Sequence, residues 1–276
     1  IEGKNIIGEE KKDGSLTLQY AHDGTLAYAN RRGVDKTGIY PELSDKERLN
    51  TKGLTITQGE TYALKGKKDN FDAFLRRDLL QDKEEAKRRM NKYPLKYEVF
   101  DILMKDNKWL LDKPLEKRKR ILNDTIPKGM KDVKISPYFK DTKEFTNRMK
   151  KDKTVEGIVF KDLNSLYRSG KQNDWKKLKF KKEADVIFTG YKKGMGKRKD
   201  IGILKAGVYD RGKVREVADV GTGFTDRELK DIKQRLDKGE RLFGKVEYLN
   251  LGSQGRLRAP SFKGLREDIT LKETHT

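Results

Sequence analysis

One lysine stands in a setting that suits attack on phosphorus. Lys11 lies within the run Glu9-Glu10-Lys11-Lys12-Asp13-Gly14. A lysine amine can form a bond to phosphorus only when it is neutral. Its reference pKa is about 10.4, so a site that uses it must lower that pKa with nearby cations, a metal or desolvation. A Lys-x-Asp-Gly match alone is weak in a chain rich in these residues, and taken alone it favours a surface turn.

The cysteine and histidine content limits the kinds of catalytic and metal sites that the chain can form. The chain has no cysteine and two histidines, His22 and His275. Disulfides, thiolate metal sites, a cysteine nucleophile, a histidine-rich metal site and a serine–histidine apparatus are therefore excluded. Any catalysis must use lysine, arginine, carboxylates and bound metal.

The charge balance favours a polyanionic partner. Lys plus Arg number 65 and Asp plus Glu number 44, which gives a formal net charge of +21. An excess of this size indicates nucleic acid or an acidic membrane surface, although a solvated lysine-rich surface is the simpler alternative. The apolar runs are too short for a membrane span, and no signal-peptide pattern opens the chain. We therefore expect a cytoplasmic protein with no membrane partner.

Further motifs follow Lys11 along the chain. In order, they are Asn30-Arg31-Arg32-Gly33, Asp35, Thr37, Tyr40-Pro41-Glu42-Leu43, Gly59-Glu60, Tyr97-Glu98-Val99-Phe100-Asp101, Glu156-Gly157-Ile158-Val159-Phe160-Lys161, Trp175-Lys176-Lys177-Leu178-Lys179, Arg256-Leu257-Arg258-Ala259-Pro260, Phe262 and Arg266-Glu267-Asp268. Together with Lys11 they resemble the nucleotidyltransferase motifs of ATP-dependent DNA ligases, over nearly the whole chain. Val220-Gly221-Thr222-Gly223-Phe224 resembles the second-domain signature of bacterial and archaeal end-joining ligases.

The resemblance implies roles for residues in the first part of the chain. Lys11 is the nucleophile that carries AMP, Glu9 contacts the adenine amino group, and Phe100 stacks on adenine. Glu60 and Glu156 serve the ribose and a divalent metal, Mg²⁺ or Mn²⁺, since carboxylates are the ligands that such ions prefer.

Further site residues follow from the same resemblance. Lys177 and Lys179 are alternate residues on one strand, so both can reach the α-phosphate of ATP. The remaining implied residues are Asp13 of the lysine motif, Arg31 for the ribose or a phosphate of the nucleotide or for the 5′-phosphate of a nick, Lys171 for nucleotide binding, and Arg258, Arg266 and Asp268 of a mobile second domain, which orient the departing pyrophosphate.

Each of these residues also has a purely structural interpretation. Phe100 alone is more typical of a core aromatic, Glu60 and Glu156 could form salt bridges at strand ends, and Lys177 and Lys179 could lie on a solvated face. The shared order of the motifs, rather than any single motif, favours the functional interpretation.

Three positions depart from the family pattern. Leu16 stands where ligases often have arginine, a feature similar to some RNA ligases, which leaves the preferred sugar of the substrate open. Lys171 keeps the charge of a frequent arginine but lacks its bidentate geometry. Ile269 stands where a lysine usually follows Arg266-Glu267-Asp268, and Lys272 is the nearest cation downstream.

The spacing of apolar residues predicts the elements that carry the motifs. We predict a hairpin through Leu16, Leu18, Tyr20, the turn His22-Asp23-Gly24, Leu26 and Tyr28. We predict three helices: one over 72–92 with Phe74, Leu75 and Leu79 on one face, one with Pro114 at its first position, and one with a Thr225–Glu228 capping box that ends at Gly239. We also predict strands over 155–161, 186–191, 201–209 and 243–251.

The length of 276 residues predicts two domains. The fold class that we expect is α+β, with a nucleotidyltransferase (adenylation) domain of antiparallel sheets and helices over residues 1–181. An OB-fold β-barrel domain over residues 182–276 follows, and the lysine-dense segment 176–182 is the candidate hinge.

The expected function is ATP-dependent sealing of nicks between 5′-phosphate and 3′-hydroxyl ends, through a covalent lysyl-AMP intermediate. The expected partner is nicked duplex DNA, with end-joining proteins as further partners, for a monomer that is associated with the nucleoid. Two alternatives stay open. One is an RNA ligase or mRNA-capping nucleotidyltransferase that uses the same lysine chemistry, and the other is a non-enzymatic OB-fold protein that binds single strands in a basic groove.

Overall fold

The chain divides into two compact units. The computed structural model describes residues 5–44, 49–66, 68–152, 154–170, 173–194 and 198–276. Unit 1 is Ile1–Lys179 and unit 2 is Phe180–Thr276. None of the helices in the described ranges is long and apolar enough to cross a lipid bilayer.

Unit 1 combines strands and short helices. Its strands are β1 (Ile6–Glu10), β2 (Ser15–His22), β3 (Thr25–Asn30), β4 (Thr55–Lys65), β5 (Lys68–Asp69), β6 (Leu95–Lys105), β7 (Lys108–Trp109), β8 (Val133–Ile135), β9 (Tyr138–Phe139), β10 (Gly157–Asp162) and β11 (Trp175–Lys179). Its helices are α1 (Pro41–Ser44), α2 (Phe71–Asp78), α3 (Lys83–Met90), α4 (Leu115–Thr125) and α5 (Thr142–Lys151), with a 3₁₀ turn at Thr37–Ile39.

The strands of unit 1 form two sheets. The larger sheet has the order β3-β2-β4-β6-β7, with β5 paired to β4 and β8 paired to β6, and the smaller sheet has the order β11-β10-β1-β9. These pairs are antiparallel except for β6–β8. The mixed fold with antiparallel sheets that the sequence predicts is confirmed. Because β1 lies in the small sheet and β2 in the large one, the segment Lys11–Gly14 joins the two sheets.

The predicted hairpin at the start of the chain is confirmed. Strands β2 and β3 pair across Asp23 and Gly24, whose φ angles of 48° and 73° are those of a tight hairpin turn. The most deeply buried face of β2 carries Thr17 and Gln19 rather than the leucines. Gln19 donates to the Tyr28 hydroxyl (2.6 Å), so this buried polar row is hydrogen-bonded, as burial requires.

The region 72–92 is two helices instead of the single predicted one. Helix α2 ends at Asp78, and Asp82 caps α3 by accepting from the backbone N–H groups of Glu84 (2.8 Å) and Glu85 (3.1 Å). An aspartate with this geometry satisfies the free N–H groups of a new helix start. Leu79 lies in the break and is 71% exposed, so its predicted place on the apolar face is wrong.

Helix α4 packs on the large sheet through a face that carries both apolar and charged side chains. Pro114 is its N-cap residue rather than its first helical residue. Leu115 and Leu122 are fully buried, and Arg118 on the same side forms a buried bidentate pair with Asp101 of β6 (2.8 and 3.0 Å). Removing one member would leave an uncompensated buried charge, so this pair fixes α4 against β6.

Unit 2 is built on one antiparallel sheet. Its strands are β12 (Lys182–Lys192), β13 (Ile203–Asp210), β14 (Lys213–Val220), β15 (Leu242–Tyr248) and β16 (Ser261–Arg266), in the order β14-β13-β12-β15-β16. Helix α6 (Asp226–Asp237) has the predicted capping box between Thr225 and Glu228. Gly239 follows it with a φ of 80°, which favours glycine at a helix end.

The closed barrel that the sequence predicts for the second domain is not seen. Within the described part of unit 2, no ladder joins the edge strands β14 and β16. Two backbone hydrogen bonds approach closure, from Leu257 N to the Val217 carbonyl (2.8 Å) and from Phe262 N to the Thr222 carbonyl (2.9 Å). A five-stranded antiparallel sheet with one helix is therefore the description that the hydrogen bonds support.

Candidate active site

Lys11 lies at the join between the two sheets of unit 1. Its backbone N–H donates to the Gly157 carbonyl at the start of β10 (2.9 Å). Its side chain is mostly buried, and its Nζ donates to Oε2 of Glu156 (2.7 Å). The predicted nucleophile and a predicted metal ligand are therefore in direct contact, although 145 positions separate them in the sequence.

The segment that carries Lys11 is held from its other side. Asp13 is buried, and its backbone N–H donates to Oδ2 of Asp69 (3.0 Å). A Cβ on Gly14 would lie 2.0 Å from the Thr61 carbonyl oxygen, so only glycine fits there. Lys12 turns away from Lys11, because its Nζ contacts Glu10 (2.5 Å) and lies over the Tyr62 ring. These contacts fix the backbone on which Lys11 stands.

Two carboxylates and two further lysines surround Lys11. Burial, with a smaller contribution from the nearby Glu156, raises the pKa of Glu60 to about 7, while Lys11 and Lys177 oppose the shift. Glu156 is also buried, and Lys179 Nζ lies 3.7 Å from its Oε1. All five charged groups belong to one cluster in unit 1.

The small sheet aligns several site residues in one row. Tyr138 of β9 pairs with Glu9 of β1, Glu9 pairs with Val159 of β10, and Val159 pairs with Lys177 of β11. Residues paired directly across an antiparallel sheet share a face, and alternate residues on a strand share it too. Lys177 and Lys179 therefore project from the same face of the small sheet as Glu9.

Glu9 is buried between two lysines. The residue is about 2% exposed, Lys161 Nζ donates to its Oε2 (2.7 Å), and Lys119 Nζ contacts its Oε1. Burial by itself would raise the pKa of Glu9, but the two ammonium groups outweigh it and hold that pKa below its usual range. Burial also lowers the pKa of Lys161 to about 8, against the opposing pull of Glu9. Glu9 thus presents an ionised carboxylate inside the fold.

Phe100 borders this buried carboxylate. Its ring lies edge-to-face with Trp175 (centroids 5.7 Å apart), and Lys161 Nζ lies 4.2 Å from the Phe100 centroid and 4.0 Å from that of Trp175. Trp175 also packs on Ile7 and Leu115. Phe100 itself remains half-buried, which leaves part of its ring open to a ligand.

The remaining predicted site residues are Arg31, Lys171 and three residues of unit 2. Arg31 is exposed after β3 and pairs with no other described residue, and Lys171 lies outside the described residues. In unit 2, Arg266 makes a bidentate pair with Asp268 (2.7 and 2.6 Å) and reaches Asp185 (3.0 Å). Arg258 is half-buried, and its backbone N–H donates to the Asn250 carbonyl (2.9 Å).

The two lysines that contact Glu9, Lys119 and Lys161, are absent from the site that the sequence predicts. Lys161 lies in the buried strand β10, which begins after Glu156, and a lysine at such a position is itself a signal because buried lysines need a partner. Lys119 is four residues after Leu115 and three before Leu122, so helical periodicity places it on the buried face of α4. Both signals were available without a structure.

The donor set around Lys11 offers a partial metal site. Glu60 and Glu156 supply carboxylate oxygens, but in the ranges that the structure describes no three Asp, Glu, His or Cys side chains gather around one point. A divalent cation bound by two carboxylates would need further oxygen ligands, as Mg²⁺ commonly takes from water and phosphate.

Comparison with known families matches both units. Residues 1–179 match the model of the ATP dependent DNA ligase domain. Residues 197–245 match the model of the ATP dependent DNA ligase C terminal region.

Individual relatives are more distant and longer. DNA ligase 2 of Thermofilum pendens is 28% identical over 89% of this chain and 44% of its own length. The multifunctional non-homologous end joining protein LigD of Mycolicibacterium smegmatis is 29% identical over 99% of this chain and 37% of its own. DNA ligase of Methanosphaera stadtmanae is 28% identical over 100% of this chain and 54% of its own. The chain thus spans about half or less of these relatives.

Solved structures support the fold. A Lig E DNA ligase, whose structure is described as "DNA binding with a minimal scaffold", has a TM-score of 0.67 at 18% identity, covering 96% of this chain and 94% of that one. A second structure, named Pmar-Lig_Pre, has a TM-score of 0.74 at 17% identity, covering 96% of this chain and 64% of that one. At these identities the likeness concerns the fold alone.

Proposed function

The chain belongs to the ATP-dependent DNA ligase family, and on that premise we propose that it seals nicks between a 5′-phosphate and a 3′-hydroxyl in duplex DNA. The observation that carries the proposal is the setting of Lys11. Its Nζ contacts Glu156 at 2.7 Å, and Lys179 lies 3.7 Å from the same carboxylate. A nucleophilic amine, carboxylates and cations thus occupy one cluster, as the transfer of a nucleotidyl group requires.

The reaction has three steps. The neutral amine of Lys11 attacks the α-phosphorus of ATP, a nitrogen–phosphorus bond forms, pyrophosphate leaves, and the nitrogen loses a proton. An oxygen of the 5′-phosphate at the nick then attacks the same phosphorus, and the bond to Lys11 breaks as the amine takes back a proton. Finally the 3′-hydroxyl oxygen attacks the 5′-phosphate, loses its proton, and AMP leaves. Positioning and charge neutralisation supply most of the catalysis.

In unit 1, two of the proposed residues contact the base of the nucleotide and two contact its α-phosphate. Glu9, ionised and buried, accepts from the adenine amino group, while the half-buried ring of Phe100 stacks on the base. Lys177 and Lys179 neutralise the α-phosphate, from the same face of the small sheet as Glu9. Asp13 holds the segment of Lys11 in place from its buried position.

Glu60 and Glu156 fit a divalent cation, Mg²⁺ or Mn²⁺. Burial and the neighbouring Glu156 raise the pKa of Glu60 to about 7, and a cation bound beside it would favour its ionised form. A hard cation prefers carboxylate oxygens and usually keeps phosphate or water oxygens as its other ligands. Bound there, it would neutralise negative charge that develops on the phosphate oxygens.

The remaining assignments complete the proposal. For unit 2 we propose an OB-fold, whose five antiparallel strands it has, although no ladder closes the barrel within its described part. Its Arg266, with Arg258 and Asp268, orients the departing pyrophosphate. Arg31 contacts the ribose or a phosphate, and Lys171 adds a further cation for the nucleotide. We place the two domains at residues 1–181 and 182–276, a boundary two residues after the division between the two units.

The cellular setting belongs to the same proposal. We expect a cytoplasmic, nucleoid-associated monomer that acts on nicked duplex DNA. Its likeness to proteins named for non-homologous end joining supports end-joining partners.

Two measurements test the proposal in order. Protein incubated with ATP and Mg²⁺ should gain the mass of one AMP, as read by mass spectrometry of the intact chain, because lysyl-AMP survives without DNA. The same protein should then seal a nicked DNA duplex faster than a nicked RNA duplex. A chain that gains no AMP would be a binding protein, and one that prefers the RNA duplex would be an RNA ligase.

A further inference from the structure

The buried carboxylate of Glu9 has more positive charge around it than it needs. One ammonium group would balance it, and Lys161 already supplies one at 2.7 Å from Oε2. Lys119 adds a second on Oε1, although its side chain is also buried, at 6% exposure for the residue. Stripping an ammonium group of water is costly, so the second lysine is not explained by neutralising Glu9.

The contacts of Lys119 link three elements around Glu9. Besides Glu9 on β1, its Nζ donates to the Phe100 carbonyl on β6 (3.2 Å) and lies 5.3 Å from the ring centroid of Tyr138 on β9. Tyr138 is exposed and is the direct register partner of Glu9. Lys119 therefore stands between the carboxylate, the backbone of the stacking residue Phe100, and the open edge of the small sheet.

This arrangement fixes what Glu9 can do for a base. An ionised carboxylate only accepts hydrogen bonds, and its two oxygens have about four lone-pair sites. One ammonium group on each oxygen leaves acceptor sites free and sets the plane of the carboxylate. The free acceptor sites of Glu9 suit the amino group at position 6 of a 6-aminopurine, and they repel the carbonyl oxygen at position 6 of a 6-oxopurine.

We propose that Lys119 is a positioning residue for base selection, which holds Glu9 as an ionised acceptor so that the site takes 6-aminopurine rather than 6-oxopurine nucleotides. The inference rests on the proposed function, in which Lys11 becomes adenylylated. It concerns a residue that acts through Glu9 and does not touch the reacting phosphate.

The test compares ATP with inosine triphosphate, which carries a carbonyl oxygen at position 6. Covalent labelling of Lys11 is followed by intact mass at a range of concentrations of each nucleotide. For Lys119→Met, the ratio of kcat/KM for ATP to that for inosine triphosphate should fall by about tenfold or more, because a charge-assisted contact that fixes the acceptor is lost. The loss should lie in KM for ATP, with kcat little changed.

Matched variants separate selection from stability. Lys36→Met removes another buried lysine, whose Nζ lies 3.3 Å from Oδ1 of Asp78 and which does not pair with Glu9. This variant should leave the ratio unchanged. Lys119→Arg keeps the charge and should retain most of the selectivity. In a Glu9→Gln background, Lys119→Met should change the ratio no further, because Lys119 acts through Glu9.

The outcomes distinguish this proposal from the one on which it rests. A wild-type chain that gains neither nucleotide contradicts the proposed function. A wild-type chain that gains AMP while Lys119→Met keeps the wild-type ratio overturns the role of Lys119 alone. If Lys119→Met does not fold, as judged by a thermal melt, Lys119→Gln is measured instead, since it is neutral but retains an N–H donor. Its ratio must also fall, and an unchanged ratio overturns the proposal.

Discussion

Lys11 and Lys12 are adjacent in sequence but have different surroundings. Lys11 contacts Glu156 from the start of β10, whereas Lys12 contacts Glu10 and lies over the Tyr62 ring. Residue type alone does not separate them, since both are lysines beside carboxylates. What separates them is the direction of each side chain from the segment that joins the two sheets, and this direction supports Lys11 as the proposed nucleophile.

Replacing Lys11 should remove covalent labelling without unfolding the chain. Lys11→Ala has no amine at the position that faces the nucleotide, so mass spectrometry after incubation with ATP and Mg²⁺ should detect no added AMP. Lys179 still lies 3.7 Å from Glu156, so the loss of stability should be modest, about 1–2 kcal/mol by urea unfolding. Lys108→Ala on β7, an exposed lysine, is the control and should label normally. Labelling of Lys11→Ala at the wild-type rate would contradict the mechanism.

The raised pKa of Glu60 predicts a pH dependence with a definite sign. In the unfolded chain this carboxyl titrates near its ordinary value of 4.5, and in the folded protein near 7. Between these values the folded state binds more protons, so this group makes the free energy of unfolding decrease as pH rises from about 4.5 to 7. Glu60→Gln removes the contribution.

Urea unfolding at pH 5 and pH 8 measures the effect of Glu60. The stability of Glu60→Gln relative to wild type should increase between the two pH values by about 1–3 kcal/mol. Other titrating groups, such as Lys161, contribute equally to both proteins and cancel in the difference. A difference that stays constant with pH would mean that Glu60 is ionised in the fold throughout this range.

At the scale of elements, local signals were most informative where one residue fixes a boundary. The turn at Asp23 and Gly24 and the capping box at Thr225 and Glu228 were both predicted, because each depends on neighbours a few residues away. The break between α2 and α3 was missed, because the apolar spacing of Leu79 continues the pattern while the cap at Asp82 ends it. The spacing of apolar residues alone does not show whether the helix continues with the apolar pattern or ends before the new cap.

The candidate site was also predictable only in part. The order of motifs predicted Lys11, Glu9, Glu60, Glu156 and the two strand lysines, and the structure gathers these in unit 1. The contacts of Lys119 and Lys161 with Glu9 join α4 and β10 to β1, and such pairings depend on how distant segments pack. Periodicity can show that a lysine is buried, but it does not identify its partner.

One substitution made in two places tests the corrected helix boundaries. Leu79→Ala, in the break after α2, should change the free energy of unfolding by no more than about 0.5 kcal/mol, since the side chain is exposed. Leu122→Ala in α4 should cost about 2–5 kcal/mol, because that side chain is fully buried and its loss leaves a cavity. Urea unfolding measures both. A cost at Leu79 comparable with that at Leu122 would restore the single apolar face that the sequence predicted.

At the scale of the whole molecule, the family match covers residues of both units, while most of the proposed site residues belong to one. Lys11, its carboxylates and the lysines proposed to bind the nucleotide belong to Ile1–Lys179, and Arg266 with Asp268 belongs to Phe180–Thr276. The formal net charge of +21 belongs to the chain as a whole and suits a polyanionic substrate. The two units can therefore contribute to different steps of one reaction cycle, and kinetics can separate these contributions.

Arg266 should matter for the first step far more than for the last. Asp268 accepts from its Nε and Nη2 and Asp185 accepts from its Nη1, so two of the five N–H donors of the guanidinium remain for a phosphate group. If that group is the departing pyrophosphate, Arg266→Ala should slow self-adenylylation with ATP by about 100-fold, by analogy with the loss of one charge-stabilising donor in other active sites. Sealing of a nick that already carries AMP on its 5′-phosphate should be nearly unchanged, because no pyrophosphate leaves in that step. Arg198→Ala, which breaks the exposed pair with Asp226 in the same unit, is the control and should affect neither step. Equal losses of both steps in Arg266→Ala would assign Arg266 to DNA binding or to the stability of unit 2, and the pyrophosphate role would have to be abandoned.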